Sequence, residues 1–305
     1  MSLIATGTVG IDSIYTPDGE HREAVIGGSC AHFCVAAQAF GPVRLVSVVG
    51  EDFPEDLYAQ LAAFENIDLA GLERRAGSKT FRWGGKYQEN MDDRETLFTE
   101  LGVYGEGEAP ITIPDAHKDS KTLFCGNAHP AAQMHAMDQL PDTTLVVADT
   151  MNLWIEIAAE PLRELLTRVD GLVLNYEEAE QLTGERGAVR AGKAILEKGP
   201  KFVIVKKGEH GALLIHREGL AALPAYPADR VVDPTGAGDS FAGGLMAHLA
   251  ETGDASFDNL RGAMAKGTVI ASYNIEDFSF ERIARLTSDE LQKRYADYVS
   301  MIRLD

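Results

Sequence analysis

Short, nearly continuous apolar runs set at intervals between helix-like stretches constrain this chain more than any other feature. Leu145-Val146-Val147-Ala148 shows the type: four apolar residues with none of the polar alternation of a strand that keeps one face in water. Runs of this kind predict core strands over 3–9, 44–49, 122–125, 144–148, 171–174 and 202–206, parallel and covered on both faces. Helix-period stretches fill the gaps near 31–40, 54–65, 130–140, 161–168, 177–182 and 189–197. Strand–helix alternation with right-handed crossovers gives an α/β fold: a doubly wound, mostly parallel sheet flanked by helices. A length of 305 residues, 45% of them hydrophobic, supplies a sizeable core, and we expect one domain over residues 1–305.

Two segments break the rhythm, at about 13–26 and 80–103. Thr80-Phe81-Arg82-Trp83 and Arg94-Glu95-Thr96-Leu97-Phe98-Thr99 alternate polar and apolar side chains as half-exposed strands do. Paired, the two segments form a small sheet outside the main layer, suited to be a lid or a dimer contact. Two long surface loops are the alternative.

Charge and cysteine content narrow the function classes. A net charge of −19 repels a nucleic-acid backbone, and no dense basic cluster offsets it, only pairs such as Arg74-Arg75 and Lys206-Lys207. The expectation is no nucleic-acid partner; an anionic substrate needs local neutralisation. No apolar run is long enough to span a bilayer, so no membrane partner is expected. The start, Met1-Ser2-Leu3-Ile4-Ala5, lacks a basic region followed by an apolar stretch. Cys30, Cys34 and Cys125 are odd in number and form no C-x-x-C, as expected of free thiols in a reducing, cytoplasmic setting.

Several motifs fail. The stretch from Gly187 to Ala194 nearly spells a P-loop but has Ala194 where a hydroxyl must hold Mg²⁺, and it follows no strand. Gly236-Ala237-Gly238 begins a dinucleotide fingerprint, but Phe241 replaces its third glycine. Asp233-Pro234-Thr235-Gly236-Ala237-Gly238-Asp239 has a more coherent physical reading. Gly236 and Gly238 let backbone amides turn inward, and Phe241, Leu245 and Leu249 mark a helix that starts at or just before Asp239. Free N–H groups at a helix start make an anion site. Asp239 then reads two ways: as the helix cap, or as a carboxylate base beside an anion cradle, the two parts phosphoryl transfer needs.

This segment resembles the C-terminal signature of the PfkB, or ribokinase-like, family of carbohydrate and nucleoside kinases. Gly27-Gly28-Ser29-Cys30-Ala31-His32, Val49-Gly50-Glu51-Asp52, Asn175-Tyr176-Glu177-Glu178 and Lys206-Lys207-Gly208-Glu209-His210-Gly211 resemble further family elements, in the family's order, across nearly the whole chain. The resemblance implies a ribokinase-like domain with a β-sheet lid, using ATP and Mg²⁺. It makes Asp239 the base and Gly236, Ala237 and Gly238 the anion hole, with Thr235 beside it. It sets Asn175, Lys207 and Gly208 along the nucleotide, Glu178 on Mg²⁺ through water, and Asp233 at a monovalent cation, K⁺. Asp12, Gly27, Gly28 and His32 would bind the acceptor, with Arg82 and Trp83 closing over it from the lid; Asn127 and Asn152 are further candidates. A homodimer through the lid also follows from the resemblance.

The sequence departs from the pattern in places. Pro234 replaces the usual Thr, His32 stands where sugar kinases commonly have a substrate-binding Asn, and helix 262–272 lacks the Asn often seen near adenine. The first expectation is phosphorylation of a primary hydroxyl of a small sugar. A nucleoside kinase stacking a base on Trp83 or Phe81 is the second, and a non-catalytic sugar or nucleoside sensor the third. A sugar-phosphate acceptor would lean on Arg82 and Arg94.

Overall fold

The computed structural model describes residues 2–91, 93–105 and 109–303; position 92 of the 80–103 segment lies outside the described residues. β1 (Leu3–Thr6) is followed by an excursion of β2 (Gly10–Tyr15) and β3 (His21–Gly27), then α1 (Ser29–Ala37), β4 (Val43–Gly50), α2 (Glu55–Ala62) and β5 (Ile67–Arg75). A second excursion, β6 (Phe81–Tyr87) and β7 (Arg94–Glu100), precedes β8 (Thr122–Cys125), α3 (Pro130–Asp138), β9 (Leu145–Asp149), α4 (Asn152–Ile157), α5 (Ala159–Leu166) and β10 (Gly171–Asn175). Then come α6 (Tyr176–Thr183), α7 (Ala188–Leu196), β11 (Phe202–Lys206), the hairpin β12 (Ala212–His216) and β13 (Gly219–Leu223), and four closing helices. These are α8 (Ala237–Thr252), α9 (Phe257–Asn274), α10 (Glu281–Ala284) and α11 (Ser288–Ile302).

The main sheet has nine strands in the order β13-β12-β11-β10-β9-β8-β1-β4-β5. Every pair from β11 to β5 is parallel; β12 alone runs the other way, pairing antiparallel with both β11 and β13. Strand order reverses at β1, with β4 on one side and β8 on the other. The crevice beyond the carboxyl ends of such strands is where ligands bind in open α/β sheets.

The continuous apolar runs are explained by two cores. Successive residues of one strand enter opposite layers: Val147 and Val173 join the core with α1, α8 and α9, whereas Val146, Ala148, Leu172 and Leu174 join the core with α3, α5 and α7. Helix α5 shows the matching pattern, with Leu162, Leu165 and Leu166 fully buried at spacings of three and four. Truncating Leu165 to alanine removes about 2–5 kcal/mol of packing.

The two irregular segments pair into one four-stranded sheet, β3-β2-β6-β7, with β2 and β6 parallel in its middle. The excursion starts earlier than expected. The first strand ends at Thr6, not Val9, and Asp12 sits on β2 within the small sheet. At its root the Gly50 N–H donates to the Thr80 hydroxyl (3.0 Å), and Thr80 donates its N–H (2.7 Å) and hydroxyl (2.9 Å) to Asp52. Strand β5 and the β12–β13 hairpin were not anticipated: Ile67–Arg75 and Gly219–Leu223 are half-exposed edge strands without a full apolar run, whereas β12 does carry one, Ala212-Leu213-Leu214-Ile215, and was readable.

Candidate active site

A cleft of about 2450 Å³ runs along the carboxyl ends of the parallel strands, under the small sheet. Three neighbouring strands end on polar residues there: β9 on Asp149, β10 on Asn175 and β11 on Lys206. Register places them side by side, with Asn175 opposite Lys206 and Asp149 opposite Val173. The Lys206 ammonium stands 3.9 Å from the Asp149 carboxylate. It also lies against the backbone of Gly238, where a Cβ would come within 2.8 Å of Nζ. Burial disfavours this ammonium, but Asp149, Glu178 and Asp239 outweigh burial and hold it above its ordinary range.

The signature loop turns into α8 at Gly236, the helix cap, whose φ of 73° is left-handed and whose Cα faces the His32 ring. A Cβ here would sit 2.2 Å from that ring, so the position admits only glycine. Asp239 is therefore not the cap; its carboxylate makes no hydrogen bond among the described residues, which disfavours the capping alternative. Burial first, then the Asp149 carboxylate, push Asp239 up to about 7, against the pull of Lys206 and Arg94. Of the three cradle donors expected, Ala237 is already spent, its N–H donating to the Pro234 carbonyl at 3.1 Å. The N–H groups of Gly236, Gly238 and Asp239 have no protein partner among the described residues.

Asn175 and Glu178 cap α6 reciprocally: the Asn175 side chain accepts from the Glu178 N–H, and Glu178 accepts from the Asn175 N–H, both at 2.8 Å. This box aims Glu178 back into the cleft, where burial and Asp149 push it up to about 7. A cation here would favour the ionised forms of Glu178 and Asp149, and their hard oxygens suit Mg²⁺. Lys207 and Gly208 line the cleft in the turn after β11. Asp233 does not line it. Its two carboxylate oxygens accept from the N–H groups of Thr235 and Ser279, both at 2.9 Å, which braces the loop.

At the other end stands Asp12, 4% exposed, with one carboxylate oxygen unpartnered. Its carboxyl occupies the space above Gly27, where a Cβ would come within 1.9 Å of it; Gly28, beside it, lines the cleft. Burial and the carboxylates of Asp233 and Asp239 push Asp12 up to about 8. His32 is 1% exposed, its ring nitrogens make no well-formed hydrogen bond, and burial, opposed by the nearby Asn274 side chain, lowers it to about 4, so it is neutral. Trp83 pairs with Asp12 in register on β6, so indole and carboxyl stand on the same face of the small sheet. Arg94 of β7 holds its guanidinium 5.5 Å over the Trp83 ring.

Arg82, expected beside Trp83, does not line the cleft: alternation turns it outward, to Asp52 at 3.4 Å. Asn127 lines the cleft but is already engaged, accepting from the Trp154 indole (2.9 Å) and donating to Met151 Sδ (3.0 Å). Asn152 lines it at the start of α4. Sequence reasoning missed Asp149, Lys206, Tyr87 and Asn274, and named Arg94 only for a sugar-phosphate acceptor. A readable signal existed for two of them, since Asp149 and Lys206 are the polar residues that close apolar parallel strands. Asn274, fully buried, accepts from Ser240 Oγ (2.9 Å) and donates to the Thr235 carbonyl (2.8 Å), taking up the loop from behind.

Comparison with known proteins identifies the family and the fold. The family model described as pfkB family carbohydrate kinase matches residues 127–280, just over half of the chain. The chain belongs to this family. It is accordingly a phosphotransferase with the ribokinase fold. It is 31% identical over 253 residues to a cytidine kinase of Thermococcus kodakarensis, covering 81% of this chain and 88% of that one. A ribokinase of Haemophilus influenzae is 26% identical over 272 residues, 80% and 79% of the two chains. Among solved structures, a nucleoside kinase of Burkholderia thailandensis in complex with inosine superposes with a TM-score of 0.78 at 19% identity, covering 98% and 99%. An Arabidopsis thaliana ribokinase complexed with ribose and ATP gives 0.76 at 19%, covering 96% and 98%.

Proposed function

We propose that this pfkB-family kinase transfers the γ-phosphoryl group of ATP to a primary hydroxyl of a nucleoside, with the transfer end of the cleft at Gly236–Asp239 and the acceptor end at Asp12. The observation that carries the choice of acceptor is the in-register pairing of Asp12 with Trp83. A buried carboxylate with a free oxygen suits a vicinal diol, and an indole beside it offers a flat surface for a base. Phe81, Tyr104, His129 and Trp154 extend that aromatic lining, and the cytidine kinase of Thermococcus kodakarensis adds support. A small sugar is the second reading, favoured by the polar ring of His32 in the cleft lining, against Gly236, and by the ribokinase relatives.

Asp239 accepts the proton of the attacking hydroxyl as the new P–O bond forms and the bond to the departing ADP breaks. The free N–H groups of Gly236, Gly238 and Asp239 and the Lys206 ammonium take up charge on the transferred group. Glu178 would hold Mg²⁺ through water, and the ion would supply charge neutralisation for the triphosphate. Asn175, Lys207 and Gly208 lie along the nucleotide. We read Asp233 as a loop brace; titration with KCl tests the monovalent-cation role. Exposed Leu97, Phe98 and Leu101 on and after β7 support a homodimer through the small sheet, which sedimentation tests. The unpaired, buried Cys30, Cys34 and Cys125 support a cytoplasmic setting.

Turnover of ATP and Mg²⁺ with a panel of nucleosides and sugars tests the acceptor reading. Cytidine or a related nucleoside should give the highest kcat/KM. A higher value for ribose would move the assignment to sugars, and tight binding without turnover would leave the chain a sensor.

A further inference from the structure

One residue touches both ends of the cleft. Thr235, immediately before Gly236, is held at three points: its N–H by Asp233 (2.9 Å), its carbonyl by Asn274 (2.8 Å), and its hydroxyl by the Tyr87 hydroxyl (2.8 Å). The first two partners belong to the main body. Tyr87 belongs to the small sheet, as the last residue of β6, four residues after Trp83. Tyr87 is 2% and Thr235 8% exposed, so this hydrogen bond is shielded from water. The contact is continuous around it: Tyr87 packs with Ile14 and Phe278, and Val25 and Val232 close the cluster. The Ser279 hydroxyl, next to Phe278, donates to the Ile26 carbonyl at 2.8 Å while its N–H reaches Asp233.

We propose that the Tyr87–Thr235 hydrogen bond couples the acceptor-side sheet to the phosphoryl cradle, with Tyr87 as a positioning residue. Thr235 and Gly236 share a peptide unit, so the orientation of Thr235 fixes where the free Gly236 N–H points. An ångström of misplacement in such a donor costs much of its value. A sheet drawn against the loop by an acceptor on Trp83 therefore sets the cradle through Tyr87. A sheet that stands away leaves the cradle loose and the γ-phosphoryl group less reactive toward water. The inference rests on the reading of Gly236–Asp239 as the transfer end.

Two measurements on the full chain test it. In hydrogen–deuterium exchange of the ligand-free protein, Tyr87→Phe should speed exchange of peptides covering 231–240 by about three- to tenfold, the worth of one neutral hydrogen bond. Peptides from β10 and β11 should not change. With ATP, Mg²⁺ and cytidine, the same variant should lose kcat about three- to tenfold while KM for cytidine stays within about twofold. Thr235→Val should match it, the double variant should be no worse than either alone, and Thr235→Ser should restore function. Unchanged exchange at 231–240, or additive losses in the double variant, overturns the coupling. If the native protein does not turn over cytidine, the acceptor reading fails, and the exchange measurement still decides the coupling.

Discussion

The two ends of the cleft that we propose for transfer and for acceptor binding are built by different means. At Gly236–Asp239 the proposed reactive groups are backbone N–H groups at the start of α8 and polar residues ending parallel strands of the main sheet. At Asp12 they are side chains on a four-stranded sheet that meets the main body through a few hydrogen bonds and a small apolar cluster. The first arrangement is set by topology and tolerates little change. The second depends on which face of a strand each side chain takes, and it is the part a relative with another acceptor can alter without disturbing the chemistry.

The largest effects should therefore fall at the transfer end. Asp239→Asn keeps the volume and the free N–H but cannot accept a proton, so kcat should fall by about 10²–10⁴ with the thermal midpoint nearly unchanged. Near-native turnover in that variant would remove the base assignment. Lys206→Met should lower kcat by about 10²–10³, as loss of a donor to a developing anion does elsewhere. Lys206→Arg should recover part of it. A fall confined to KM for the acceptor would place Lys206 outside the transfer step.

A titration sharpens the same contrast. Asp239, pushed up to about 7, is neutral below that value and cannot take the proton, so kcat/KM should fall about tenfold for each unit below it. Asp12, pushed up to about 8, gains its charge only at higher pH. Acceptor affinity should accordingly go on rising from pH 7 to pH 8 after kcat has levelled off. Simultaneous levelling of both at one pH would mean that a single group governs the two ends.

The contrast also explains what the sequence made legible. Core strands were readable because burial on both faces leaves a continuous apolar run, as in Leu145–Asp149, and strand ends then followed to within a few residues. The Asp233–Asp239 segment was readable because glycine and aspartate requirements there are imposed by backbone geometry. The small sheet was readable as a pair of alternating segments, but not in phase: nothing local to Arg82-Trp83 says which side chain faces inward, and the register with Asp12 is a long-range fact. Asn274 was unreadable for a related reason. Its partners, Ser240 and Thr235, lie 34 and 39 residues away, and a lone Asn near a helix end looks like many others.

Adjacent substitutions on β6 test that phase directly, and they carry the smallest effects. Trp83→Ala removes the surface beside Asp12 and should raise KM for a nucleoside by about tenfold, near the low end of the worth of one stacked base, with kcat little changed. A sugar acceptor should lose less, so the ratio of the two KM changes also discriminates between the acceptor readings. Arg82→Ala should leave both KM and kcat within about twofold. Arg82 faces Asp52 at 3.4 Å with its side chain 36% exposed, and such a pair contributes about 0–1 kcal/mol. Asp52 keeps its two bonds from Thr80, so the root of the sheet should hold. A large KM effect at Arg82 with none at Trp83 would mean that the strand presents its other face when acceptor is bound, and the in-register pairing of Trp83 with Asp12 would no longer define the acceptor site.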